Sequence, residues 1–111
     1  MSDIDSTTEG TISESIFQMV CDNLHITYTL DESAKRRIVN ETHDGILYLQ
    51  KYGDSSATCE PGTPFARLLV EYVLRAESGA LSTFAVDYAE DILQAKAEKE
   101  ANDYAKVMGY A

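Results

Sequence analysis

The hydrophobic positions between residues 64 and 94 form two stretches with helical spacing, which meet at Ser78 and Gly79. In each stretch the apolar residues recur at steps of three and four, which places them on one face of a helix. Thr63 and Pro64 suit an N-cap and a first helical position, and Gly79 suits a helix end with positive φ. The pattern therefore predicts two helices joined by a tight break. The residues expected in their core are Phe65, Leu69, Tyr72, Val73, Phe84, Tyr88 and Ile92.

Two more helical patterns precede this pair. The stretch from Thr11 to Glu14 matches a capping box ahead of a first helix, which we expect to end near Leu24. A second capping box begins at Thr29, with Asp31 as a competing N-cap, ahead of a helix that runs to about Tyr52. Gly53 is placed as the residue after this helix. The apolar stripe of the second helix comprises Ala34, Ile38, Thr42, Ile46 and Leu49, widened by Val39, Leu47 and Tyr52.

Two glycine positions in this region carry further expectations. Gly45 lies inside the second helix, where glycine costs about 1 kcal/mol relative to alanine, so we expect another helix to approach closely there. Residues 53–64 are rich in Gly, Pro and Ser and form a long loop. Such a loop is either a contact tip or a solvated connector, and the sequence favours neither.

The expected architecture is a small all-α, four-helix domain with an extended C-terminal helix. Residues 1–10 are polar and acidic, and are predicted to be a disordered arm. Residues 11–94 form the helical domain, and residues 95–111 form a projecting C-terminal helical arm. The chain of 111 residues fits one domain.

The projecting arm is inferred from helix length. If one helix runs unbroken from Leu81 to Met108, it is roughly 40 Å long at 1.5 Å per residue. A domain of this size has a radius of gyration of only about 13 Å, so the end of such a helix leaves its own core. We therefore predict a partner-binding arm, with a frayed tail as the alternative. The residues predicted to bind the partner are Lys99, Tyr104, Val107, Met108 and Tyr110.

Charge and composition limit the classes of partner. The formal net charge is −10, and the first 34 residues carry seven acids and no Lys or Arg. The only basic run is Lys35–Arg37, so direct binding to a phosphate backbone is disfavoured. Cys21 and Cys59 show no metal-ligand spacing, and a disulfide is not expected. The chain has neither an apolar run of membrane length nor signal-peptide features, so we expect a soluble, cytoplasmic protein.

Catalytic chemistry is not indicated. His25 and His43 lie in no recognisable motif, and His43 is expected at the surface. The acids Asp87, Glu90 and Asp91 are interpreted as a solvated face, with a hard-cation site as the remote alternative. The sequence has no P-loop, no GxGxxG and no GxSxG motif. We predict a protein that is not an enzyme and has no cofactor or metal.

One stretch carries a resemblance. Residues 72–74 read Tyr-Val-Leu, a break follows at 76–80, and residues 84–93 read FAVDYAEDIL. This pattern resembles the head–tail connector (adaptor, or head-completion) proteins of tailed bacteriophages, over about residues 12–95. The resemblance implies a virion protein that assembles in the host cytoplasm as a ring of about twelve copies beneath the portal protein. It further implies that the C-terminal segment grips the portal, that the opposite face receives a stopper or tail-completion protein, and that DNA passes through without specific binding.

The acidic charge also supports a different class of function. A regulatory DNA mimic or inhibitor presents carboxylates to a basic DNA-binding protein, and its binding is sensitive to salt. The sequence leaves this alternative open beside the structural one.

Overall fold

All secondary structure in the described residues of the computed structural model is helical, which confirms the all-α class. The structure describes residues 12–26 and 29–109. The arm predicted for residues 1–10, the capping residue Thr11 and the predicted binding residue Tyr110 lie outside these ranges. The elements are α1 (Glu14–Asn23), α2 (Glu32–Tyr52), α3 (Ala66–Ser78), a 3-10 turn (Leu81–Thr83), α4 (Phe84–Asp87) and α5 (Ala89–Val107).

The helix starts depend on which polar side chain reaches a free amide. Ser13 caps α1 by accepting a hydrogen bond from the Ile16 amide at 3.2 Å, so the capping box placed at Thr11 is wrong. Asp31 caps α2, because its carboxylate accepts from the Ala34 amide at 2.8 Å.

The helix α3 begins two residues later than predicted, at Ala66 and not at Pro64. Its N-cap residue Phe65 makes no side-chain capping bond. The Thr63 hydroxyl donates to the Glu60 carbonyl at 2.6 Å, so it stabilises the preceding turn and does not cap the helix. At the other end Gly79 has φ +77, which confirms the left-handed terminus predicted there.

The core forms where α2 and α3 cross at Gly45. A Cβ built on Gly45 would lie 2.8 Å from both Leu69 Cδ1 and Tyr72 Cδ1, which confirms the predicted close approach of a second helix. Gly53 is required for a different reason from the one predicted: its φ is −111, but a Cβ would lie 2.7 Å from the Phe65 ring. The largest fully buried side chains are Phe65, Phe84, Ile38, Leu49, Leu68, Leu69, Val20, Val39 and Val73.

Burial agrees with most of the predicted core. Of the seven residues named, all but Tyr88 are buried, and Tyr88 is half-buried. Leu47 and Tyr52 were expected to widen the core stripe of α2, but they are 50% and 56% exposed. Leu47 lies on the face of α2 opposite Gly45, whereas Tyr52 is on the Gly45 side but is the last residue of the helix.

The C-terminal third is not one unbroken helix, contrary to the condition on which the 40 Å estimate rested. The helical dihedral angles end at Tyr88, with φ −116 and ψ 12, and resume at Ala89. The Tyr88 ring stacks on Phe84 at 4.8 Å, its hydroxyl donates to Glu71 Oε1 at 2.8 Å, and Arg75 lies over its face at 5.2 Å. The contacts with Glu71 and Arg75 on α3 accompany this local distortion, across which the backbone hydrogen bonds from Tyr88 to Phe84 and from Ile92 to Tyr88 are kept. The continuous helix α5 therefore has 19 residues and is about 28 Å long.

The loop before α3 is packed and is not a solvated connector. Ala57 and Cys59 are 2% and 1% exposed, and both belong to the core. Glu60 accepts hydrogen bonds from the hydroxyls of Ser13 and Ser15, which ties the loop to the start of α1. The Gln50 side chain donates to the Ala57 carbonyl at 3.0 Å. The loop thus forms part of the platform against which α5 lies.

Candidate protein-interaction surface

A cluster of four aromatic rings joins α2, α3 and α4. The Tyr48 ring lies 5.6 Å from Tyr72 and 5.5 Å from Phe84, and Tyr72 meets Phe84 edge-on at 5.2 Å. Tyr88 stacks on the other side of Phe84. Edge-to-face and stacked pairs of this kind contribute about 0.5–1.5 kcal/mol each beyond their buried area. The cluster fixes the position of α4 against α2, and its Tyr48 edge faces the surface groove described next.

An open apolar groove of about 500 Å³ lies between α2 and the α4–α5 segment. Two large side chains, Tyr52 and Leu93, are 56% and 65% exposed at this groove. Burial raises the pKa of the Tyr48 hydroxyl, so this ring stays neutral at physiological pH. The residues that line the groove are Tyr48, Tyr52, Ala85, Ala89, Ile92 and Leu93. All six are aliphatic or aromatic, so the groove is suited to an apolar occupant.

α5 has apolar residues on two opposite faces. Its inner face packs on the domain through Ile92 and Ala95, which are 5% and 6% exposed. The opposite face carries apolar residues at steps of four, four, three and four, and every one of them is exposed. We call these residues the outer stripe: Leu93, Ala97, Ala101, Tyr104 and Met108. An ordinary surface helix is polar on the side that faces water, so the outer stripe is a candidate contact surface.

The inner face of α5 is also held by charge. The Lys99 ammonium donates to Asp103 Oδ2 at 2.7 Å and to Ser56 Oγ at 2.8 Å, and lies 3.6 Å from Asp54 Oδ2. The hydrogen bond to Asp103 is the main cause of the raised pKa of Lys99. Hydrogen bonds from Ser56 lower the pKa of Asp54. Lys99 therefore stays charged and joins α5 to the loop of residues 53–65.

The predicted partner-binding residues separate into two groups. Tyr104, Val107 and Met108 are 63%, 82% and 48% exposed, and they lie together in the last turns of α5. The Lys99 side chain is only 17% exposed and turns towards the loop. The structure thus brings three of the five residues together and places Lys99 on the opposite face of the helix.

The groove was not anticipated from the sequence. The sequence predicted Tyr52 as part of a core stripe, because spacing alone does not say which flank of a stripe a neighbouring helix covers. A signal was nevertheless present. Ala85 and Ala89, followed at helical spacing by Leu93, Ala97 and Ala101, form a second apolar period on a segment that already has its core positions filled.

A carboxyl pair lies away from the groove, between α2 and α3. Arg37 donates to both oxygens of Glu77 at 3.0 and 3.1 Å, and Glu77 also shares a hydrogen bond with Glu41. Burial, together with this hydrogen bond and the charge of Glu77, raises the pKa of Glu41 to about 8. Hydrogen bonds from Glu41 and Arg37 lower the pKa of Glu77. At neutral pH the Glu41 carboxyl group is therefore protonated, and its O–H donates a hydrogen bond to the Glu77 carboxylate.

Of the three acids named for a possible cation site, Asp87 and Asp91 form ion pairs with arginines. Arg75 lies 2.8 Å from Asp87, and Arg67 lies 3.9 Å from Asp91. Within residues 12–26 and 29–109, no group of three or more His, Cys, Asp or Glu side chains is placed to hold a metal ion. In the same ranges, no helix is both long and apolar enough to cross a membrane.

The described surface therefore offers one extended apolar feature, formed by the groove and the outer stripe. Such a feature can bind another polypeptide through burial of apolar area. Comparison with protein-family models, with curated proteins and with solved structures finds no match to this chain. The features that bear on function are therefore this surface, the charge of the chain and the pattern of residues 72–93.

Proposed function

We propose that this chain is a virion structural protein, a head–tail connector of a tailed bacteriophage, without catalytic activity. In this role it docks as a ring of about twelve copies on the portal protein and extends the DNA conduit towards the stopper and tail-completion proteins. It acts in the virion and, during assembly, in the host cytoplasm. The observation that supports the proposal most is the exposed apolar end of α5, at Tyr104, Val107 and Met108.

The exposed end of α5 favours an assembly component. A lone exposed apolar side chain needs no explanation, but a row of them along one helix face marks a contact surface. The opposite face of the same helix is fixed to the domain by Ile92, Ala95 and Lys99. The arm is therefore presented in a fixed orientation, which lowers the entropic cost of docking.

The charge of the chain is compatible with a DNA conduit. Each copy carries a formal charge of −10. A ring of about twelve such copies carries on the order of 100 negative charges, which discourages DNA from adhering to the wall.

The same charge supports a second candidate, an acidic regulatory protein that mimics DNA and inhibits a basic DNA-binding protein. The two candidates differ in what carries the binding. A connector depends on the apolar end of α5, whereas a DNA mimic depends on carboxylates spread over the surface and loses affinity steeply with salt.

The test is binding of the full chain to the portal protein of its own phage, followed by co-sedimentation and electron microscopy. The informative variant is Val107→Ser, and the matched control is Val86→Ser, because both valines are 82% exposed and neither contributes to the core. The proposal predicts ring-shaped density on the portal, lost in Val107→Ser and kept in Val86→Ser. Absence of association with the portal would exclude the connector role. Binding instead to a repressor or nuclease, lost in salt and unaffected by Val107→Ser, would establish the mimic.

A further inference from the structure

We propose that the groove and the outer stripe together form one docking site for an amphipathic helix with a basic rim, supplied by a different protein. The inference deepens the proposed function, because it rests on α5 being a protein-docking element and names the chemistry of its partner. In this arrangement the partner contacts α5 along its whole outer side and not only at its C-terminal end.

The groove and the outer stripe are continuous. Leu93 belongs to both, and Ala89 lines the groove one turn before it. From Leu93 to Met108 the stripe runs 15 residues, or about 22 Å, on a straight helix. A partner helix of about 16 residues matches this length.

The sizes of the side chains also suit a helix. Ala85 and Ala89 in the groove, and Ala97 and Ala101 on the stripe, leave the backbones of α4 and α5 accessible to close approach. Large groups stand at the two ends: Tyr52 and Leu93 at the groove, and Tyr104 and Met108 at the far end. Small residues between large ones let an incoming helix lie in contact along its length and anchor at both ends.

The charges beside the stripe specify the partner. Three acids of α5 are exposed on the side of the stripe: Glu90, Glu98 and Glu100. α5 has three lysines, of which Lys99 and Lys106 line the cleft against the loop on the other side of the helix. Lys96 remains on the exposed side, where it pairs with Glu100 at 2.8 Å. The side of the site that α5 forms is therefore net negative.

A negative rim favours lysines or arginines beside the apolar face of the occupant and disfavours a second copy of this chain. Two copies would bring the same acids together, each on a chain of formal charge −10. Like charges across an interface suppress association, whereas opposite charges speed it and fix the register.

The experiment titrates the full chain, by calorimetry, with synthetic peptides of about 16 residues that share one leucine stripe at helical spacing. The first peptide carries lysines beside the stripe, the second carries glutamates, and a third has the composition of the first in scrambled order. The proposal predicts binding of the first peptide alone. The scrambled peptide controls for attraction by charge, because it keeps every lysine but has no apolar face.

The groove is tested by Leu93→Ala against Leu47→Ala. Leu93 is 65% exposed and Leu47 is 50% exposed, but only Leu93 lines the groove. We expect Leu93→Ala to weaken binding of the lysine-rimmed peptide by about tenfold, as for an interface anchor, and Leu47→Ala to leave it unchanged. Because both side chains are exposed, both variants retain the fold.

Three results would overturn the inference: equal binding of the scrambled peptide, equal binding of the glutamate-rimmed peptide, or no effect of Leu93→Ala. A homodimer that Leu93→Ala dissolves in sedimentation would assign the site to a second copy, and would overturn it as well. The peptides contain no portal sequence, so this test can succeed where portal binding fails, and the reverse.

Discussion

Lys99 Nζ on α5 lies 3.6 Å from Asp54 Oδ2 in the loop before α3, although the two residues are 45 positions apart in the chain. Both side chains are only 17% exposed. This ion pair and the hydrogen bond from Lys99 to Ser56 tie the middle of α5 to the rest of the domain. Together with the buried side chains of Ile92 and Ala95, they set which face of the helix is turned outwards.

Removing this contact should loosen the second half of α5. Lys99→Met keeps the length of the side chain but loses the ties to Asp54 and Ser56. Lys96→Met is the matched control, because Lys96 pairs within the helix, with Glu100. We expect faster amide hydrogen exchange over residues 100–107 in Lys99→Met and little change in Lys96→Met. Equal exchange in the two variants would show that the ion pair does not hold the arm.

The crossing of α2 and α3 at Gly45 should not tolerate a methyl group. In an open helix, Gly→Ala gains about 1 kcal/mol of stability. At this position the new Cβ would meet Leu69 and Tyr72 at 2.8 Å, and overpacking of this kind costs about 1–3 kcal/mol. We therefore expect Gly45→Ala to lower the free energy of unfolding, measured by urea denaturation. A gain in stability would mean that α2 and α3 lie further apart than the distance of 2.8 Å between a Gly45 Cβ and Tyr72 indicates.

Phe84 should contribute most of the stability of the short α4 segment. Its ring is 1% exposed and contacts Tyr48, Tyr72 and Tyr88. Phe84→Ala should cost about 3–5 kcal/mol. Val86→Ala, two residues away and 82% exposed, should change stability by less than about 0.5 kcal/mol. Similar unfolding midpoints for the two variants would show that α4 is not anchored through Phe84.

Stability should depend on pH through Glu41. The pKa of Glu41 is raised from 4.5 to about 8 in the folded chain. Between these two pH values, the folded state therefore keeps a proton that the unfolded state has lost. Stability from this group is complete below pH 4.5 and falls as pH rises through about 8. Glu77 has the opposite sign, because its lowered pKa costs stability only as pH falls below its ordinary value.

Glu41→Gln isolates this effect, because the amide resembles the protonated acid and cannot ionise. We expect the melting temperature of the variant to exceed that of the parent near pH 9 and to approach it near pH 5.5. A difference that stays constant across this range would show that Glu41 does not titrate between its ordinary pKa and about 8.

The sequence predicted the helices and most of the core because these depend on local periodicity. The buried set that includes Phe65, Leu69 and Val73 follows from steps of three and four, and the left-handed Gly79 follows from its place between two such runs. Gly45 was informative because an unexplained glycine in a helix has few causes other than close packing.

The predictions that failed depended on tertiary contacts. No Gly or Pro marks the break at Tyr88. It coincides with contacts of this side chain to Glu71 and Arg75 on α3, which local periodicity does not reveal. Thr63 looked like an N-cap, but its hydroxyl is engaged by the turn before the helix. The groove is not predictable from local periodicity for the same reason, because it forms only where the end of α2 lies beside α4 and α5.

The central claim is that the outer stripe of α5 is covered by another molecule when the protein acts. The most direct measurement is hydroxyl-radical footprinting of the side chains of Leu93, Tyr104 and Met108, in the isolated chain and in purified virions of its phage, with Leu47 as the internal control. The account predicts strong labelling of all four residues in the isolated chain, and loss of labelling at the first three alone in the virion. Equal labelling of the stripe in both states, or absence of the chain from the virion, would contradict it.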